Sequence, residues 1–147
     1  DGSAVAVAYE TYPPAAGGKP QIDVTVLDAV SGAVQTVDTA GSGQPVAGLD
    51  RHTSPSLAAF DSGGYVVAWT ASNATGDEGQ VFARVYGPDG QPSLVHTVDA
   101  YSMPSHSPSA AAFADGSYVV GFVSEGRDGD AAGVRSAPPR ALGGSAG

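Results

Sequence analysis

Ser54-Pro55-Ser56-Leu57-Ala58-Ala59-Phe60-Asp61-Ser62-Gly63-Gly64-Tyr65-Val66-Val67-Ala68-Trp69 returns further along the chain as Ser107-Pro108-Ser109-Ala110-Ala111-Ala112-Phe113-Ala114-Asp115-Gly116-Ser117-Tyr118-Val119-Val120-Gly121-Phe122. One offset of 53, from Ser54 to Ser107, aligns the two passages without a gap. It carries on to Gly76-Asp77 against Gly129-Asp130 and to Val81 against Val134. A fixed period of this size marks an array of small units, each burying its core against its neighbours. Such a pattern points to a scaffold or interaction module and away from a compact enzyme.

Within one period the residues read as four strands. Ser56–Phe60 predicts the first strand and Asp61-Ser62-Gly63-Gly64 a turn. Tyr65–Thr70 predicts the second strand, and the polar run Ala71–Gly79 a hairpin loop. Gln80–Tyr86 predicts the third strand, closed by the turn signal Gly87-Pro88-Asp89-Gly90, and Leu94–Val98 the fourth. β-Branched and aromatic residues suit a pleated, half-buried surface, while Gly, Pro, Asp and Ser supply the turns.

Upstream, Val5–Tyr9 takes the place of a second strand, so that Tyr9 corresponds to Trp69 and to Phe122. Tyr12–Gly18 is a longer hairpin loop. Ile22–Val26 alternates as a third strand should, and Val34–Val37 supplies a fourth. Downstream, the pattern fades from Arg135, and Ala137-Pro138-Pro139 is expected to interrupt a third strand because proline cannot donate to a ladder. The expected organisation is therefore a truncated first unit at 1–53, a complete second unit at 54–106, an incomplete third at 107–136 and a flexible tail at 137–147. A partial stack leaves unpaired edges and half-covered faces, which proteins normally cap or pair.

Composition narrows the function classes. Of 147 residues, 41% are hydrophobic, dominated by Ala and Val, while 21 Gly and 11 Pro argue against long helices. The formal charge of −9 arises from 15 acidic residues against 6 basic ones, and Lys19 is the single lysine. An acidic surface repels phosphate backbones, so nucleic acid is not an expected partner. The absence of cysteine excludes disulfides, thiolate zinc sites and cysteine nucleophiles. No stretch reaches the roughly 18 apolar residues of a membrane-spanning helix, and Asp1-Gly2 opens into a strand-like run with no signal-peptide pattern.

The Ser-Pro entry, the Gly-Gly-Tyr-Val-Val-x-Trp strand, the Gly76-Asp77 loop, Val81-Phe82-Ala83-Arg84 and the Asp89-Gly90 turn resemble a known unit. They are similar to the repeats of roughly 50 residues found in large secreted bacterial and algal surface proteins. The similarity covers Ser54–Asp99 best, Ser107–Val134 less closely and Asp1–Asp38 weakly. It implies an all-β fold of tandem four-stranded antiparallel repeats, β-propeller-like blades in a partial or open array. It further implies an extracellular or cell-surface role as adhesin, scaffold or filament component. Sialidase-type propellers carry a Ser-x-Asp-x-Gly-x-Thr-Trp turn; Ser72-Asn73-Ala74-Thr75-Gly76 has neither the Asp nor the Trp in place.

The candidate sites are few. Asp77 and Glu78, with Asp128 and Asp130, could offer carboxylates to calcium, the one cofactor with any support, although their spacing fits no EF-hand. The plainer reading makes these loops turns in which Asp bonds its own backbone. Asn73-Ala74-Thr75 is a glycosylation sequon on an expected exposed loop. His52, His96 and His106 lack any H-x-H or H-E-x-x-H spacing and read as solvated or capping side chains. No nucleophile elbow, phosphate loop or carboxylate pair suggests catalysis. Tyr9, Trp69 and Phe122 read as packing aromatics, with a carbohydrate-stacking platform as the sharper alternative. The residues thus favour a non-catalytic structural or adhesive module whose partners are other protein chains, with glycans as the second class.

Overall fold

The computed structural model describes residues 4–14, 17–99, 104–125 and 133–137, all of them in strands, turns or irregular connections. Ten strands form: β1 (Ala4–Thr11), β2 (Gln21–Asp28), β3 (Val34–Thr39), β4 (Arg51–Ala59), β5 (Tyr65–Ser72), β6 (Gly79–Tyr86), β7 (His96–Thr97), β8 (Ser105–Ala112), β9 (Tyr118–Ser124) and β10 (Gly133–Ala137). They make three antiparallel sheets, in the orders β1-β2-β3, β4-β5-β6-β7 and β8-β9-β10. Among the described residues there is no helix and no closed barrel or ring.

The three sheets follow one another along the chain, with β4 and β8 starting a few residues before the expected unit boundaries at 54 and 107, and the registers agree. Trp69 faces Phe82 across β5–β6, Tyr9 faces Asp23 across β1–β2, and Phe122 faces Arg135 across β9–β10. The middle sheet is the complete one. In the first sheet no strand among the described residues pairs with the outer edge of β1, where β4 and β8 pair with β5 and β9.

Successive side chains on a strand point to opposite faces, so each sheet has a front and a back. Two hydrophobic layers result. The first joins the back of sheet one (Ile22, Val24, with Ala6 and Ala8) to the front of sheet two (Tyr65, Val67, Trp69, Phe82, Tyr86). The second joins the back of sheet two (Val66, Ala68, Val81, Ala83, Val85) to the front of sheet three (Tyr118, Val120, Phe122). Trp69 and Phe122 therefore sit in equivalent places, each buried against the back of the preceding sheet. The shared interior that the repeat implies is present twice.

Three strands differ from the sequence expectation. β4 begins at Arg51 rather than Ser56, because the strand runs through Ser54-Pro55 as a bulge. The same irregularity recurs between His106 and Ser109 in β8. Ser54 and Ser107 take left-handed backbone, with φ of 56° and 53°, and the proline that follows each occupies the extra position where no ladder donor is needed. The fourth strand shrinks to His96–Thr97, since Pro92 and the ordering of Ser93 against β6 hold the chain differently. The third strand of the last unit does form, as β10, and ends at Ala137 immediately before Pro138. The tail 138–147 lies outside the described residues.

Candidate functional site

The two internal interfaces share a polar device as well as a hydrophobic layer. The bulge frees a backbone N–H at Ser54, which donates to Glu10 Oε1 of the preceding sheet at 2.7 Å. Its counterpart at Ser107 donates to Thr70 Oγ1 of the preceding sheet at 3.2 Å. Glu10 follows Tyr9 as Thr70 follows Trp69, so one docking geometry is made with different acceptors. The Ala110 N–H adds a bond to Ser56 Oγ across the second interface at 2.9 Å.

The first interface carries a further network at its outer end. The Tyr86 hydroxyl donates to Asp38 Oδ2 at 2.6 Å, and Arg84 lies 3.7 Å from the same carboxylate. Arg84 also donates to the carbonyls of Ser93 and Ala40. Burial, reinforced by the bond to Asp38, pushes the Tyr86 hydroxyl far above its ordinary range. Tyr65 stacks on Tyr86 with centroids 4.7 Å apart. These residues clamp β3 onto sheet two.

A polar cleft of about 470 Å³ opens beside this interface, between Lys19, Asp50, Gln44 and His52. Lys19 and Asp50 form an exposed ion pair across it. His52 is buried over Gly41, where any side chain would collide with the imidazole. Its Nε2 lies 3.3 Å from the Leu49 carbonyl, which requires a proton on Nε2, and Nδ1 has no partner. Burial holds the His52 pKa below its ordinary value. Asp50, which lines the same cleft, opposes this shift through its charge, and the ring packs against Trp69, with centroids 6.1 Å apart.

The remaining candidates are distributed over the molecule. Asp77 and Glu78 are exposed on the β5–β6 loop. Asp128 and Asp130 lie outside the described residues. Among the described residues no group of three or more His, Asp or Glu could hold a metal ion. Asn73 heads the same β5–β6 loop, its Oδ1 accepting from Thr75 Oγ1 at 3.2 Å and from the Gly76 N–H at 2.8 Å. This is local side-chain-to-backbone bonding of the kind turn residues favour. His96 lies on β7, and His106 sits on β8 within 3.4 Å of Glu125. Trp69 and Phe122 are buried, whereas Tyr9 is 40% exposed.

That difference defines the candidate site. On the front of sheet one, Val5 (48% exposed), Val7 (41%) and Tyr9 occupy the positions of Tyr65, Val67 and Trp69 in sheet two and of Tyr118, Val120 and Phe122 in sheet three. Leu27, Thr25 and Asp23 stand directly opposite them on β2, and Val37 lies opposite Thr25 on β3. Tyr9 Oη and Thr25 Oγ1 bond at 3.0 Å, and the Thr39 hydroxyl donates to Asp23 at 2.9 Å, so the polar side chains of this face are satisfied within the sheet. What remains is an apolar strip of Val5, Val7 and Tyr9 on a strand that, among the described residues, lies at the edge of its sheet. Sequence reading identified the strand but could not tell that its front was open. Comparison with protein families, with curated proteins and with solved structures finds no match to this chain.

Proposed function

We propose that this chain is a non-catalytic structural or adhesive repeat module, working at the cell surface or outside the cell by assembling with other protein chains. On this reading the three sheets are propeller-like blades of an open array. The observation that carries it is the stacking of the sheets, in which the aromatic front of one sheet is buried against the apolar back of the one before, twice among the described residues. The turn-rich, acidic composition suits a module kept soluble by charge.

The carbohydrate reading needs aromatic rings open beside carboxylates. Most of the recurring aromatics are buried between sheets; the open rings beside carboxylates are Tyr9, opposite Asp23, and Tyr12, bonded through its hydroxyl to Glu10 at 2.9 Å, and they are where a glycan would stack. A photo-crosslinking residue placed at Val7 in the protein's native setting tests the assembly role. Adducts with protein chains are expected. Adducts with glycan alone, or none at all, would overturn it.

A further inference from the structure

Residues 40–50 carry the chain from sheet one to sheet two, and they close over the side chain of His52. Ala40 and Leu49 of this segment are buried in the first hydrophobic layer, and Val46 packs against it. The Ala40 N–H donates to the Ile22 carbonyl and the His52 N–H to the Pro20 carbonyl, which ties both ends of the segment to β2 and the residue before it. The imidazole is 7% exposed, and its Nδ1–Cε1 edge fills the place that a Cβ on Gly41 would take.

The neutral ring suits this place and the charged ring does not. Its Nε2 donates to the Leu49 carbonyl, an acceptor it shares with the Gln44 amide. Nδ1 is buried without a partner. Protonation would set a charged N–H there with nothing to receive it, which costs more than an unpaired neutral acceptor. Of the surrounding groups, Asp50 in the wall of the adjoining cleft attracts the proton, but Lys19 is already paired with that carboxylate. Gln21, Thr39, Ser42 and Gln44 line the same cleft without charge, and Ala71 and Trp69 face the ring from β5. Burial outweighs Asp50, so the His52 pKa lies below its ordinary value.

We propose that His52 is an acid-operated latch on the joint between sheets one and two: on gaining a proton the ring leaves the hydrophobic layer for the cleft beside it, where Asp50 receives it, and residues 40–50 lift from the joint. The cleft, about 470 Å³, has room for the ring. Such a device needs two positions for one side chain and a proton that favours one of them. The joint between sheets two and three lacks it. One period on, Ser105 stands in the place of His52, buried and bonded to Asp99. His106 beside it is exposed and lies 3.4 Å from Glu125, so a proton there draws the pair together. Acid therefore loosens the first joint and leaves the second closed. The latch lies wholly within one chain and does not depend on the assembly reading above.

Hydrogen exchange read by mass spectrometry on the 147-residue chain, with rates corrected for the intrinsic effect of pH, tests the latch. If only the open form takes up the proton, at the ordinary histidine value of about 6.5, the opening constant rises by up to about thirtyfold between pH 7.5 and pH 5. Amides of residues 40–52 should lose protection on that scale, while those of β8 and β9 keep theirs. Far-ultraviolet circular dichroism should be the same at both pH values. His52→Gln should remove the pH dependence, and His96→Gln and His106→Gln should leave it intact. An NMR titration of the wild-type imidazoles needs no variant to fold, and the His52 ring should titrate below about 6.5, in step with the loss of protection. Unchanged protection at 40–52 overturns the proposal, as does a His52 ring that titrates at or above that value. So does a response that survives His52→Gln, or a loss of protection equal in all three sheets.

Discussion

Replacing Trp69 by alanine removes the largest side chain in the layer between sheets one and two, where it is fully buried. An aromatic of this kind buries about 150–250 Å², which at about 25 cal/mol per Å² corresponds to roughly 4–6 kcal/mol of transfer free energy. Two effects lower the net cost: the denatured chain already hides part of that surface, and the indole Nε1, buried without a partner, is released. A loss of about 3–5 kcal/mol is expected. Tyr9→Ala at the equivalent position is the control. Tyr9 is 40% exposed and rests on its own sheet, so its loss, including the bond to Thr25, should cost only about 1 kcal/mol. Trp69 is the chain's single tryptophan, so urea unfolding must be followed by far-ultraviolet circular dichroism rather than fluorescence. For a chain of this length the thermal midpoint should fall by roughly 10 °C for the first variant and by only a few degrees for the second. Equal costs at the two positions would refute the claim that a preceding sheet covers one front and leaves the other open.

Tyr86→Phe removes the donor to Asp38 and leaves the carboxylate to Arg84 alone. About 1–2 kcal/mol should be lost, read as a shift in urea midpoint. Gly64→Ala should be markedly worse than Gly116→Ala in the same assay. Both glycines have positive φ, 82° and 83°, but a Cβ at Gly64 would run into the Tyr86 carbonyl, whereas Gly116 faces open space and carries only the left-handed penalty of about 1 kcal/mol. Stability should fall as pH drops below about 6.5, the unperturbed histidine value, because His52 has a lowered pKa when folded and the unfolded chain takes up the proton first. His52→Gln should flatten the thermal midpoint between pH 7 and pH 5. Asp28, Asp50 and Asp115, whose pKa values are lowered from 3.8, act only at more acid pH.

Periodicity alone determined that this is an all-β chain of corresponding units and that Tyr9, Trp69 and Phe122 are equivalent. Strand alternation and turn residues are local properties, and the offset of 53 transfers them from one unit to the next. The same local logic misplaced the start of β4. Proline ordinarily ends a strand, and the bulge that accommodates Pro55 depends on a bond from Ser54 to Glu10, 44 residues away. The clamp of Tyr86 and Arg84 on Asp38 spans a similar distance and leaves no local trace in the chain. Tertiary structure also decided which side of each sheet meets a neighbour. Alternation separates a strand's two faces but does not say which one is covered, and only the stacking order leaves Val5, Val7 and Tyr9 in solvent while their counterparts lie in the interior.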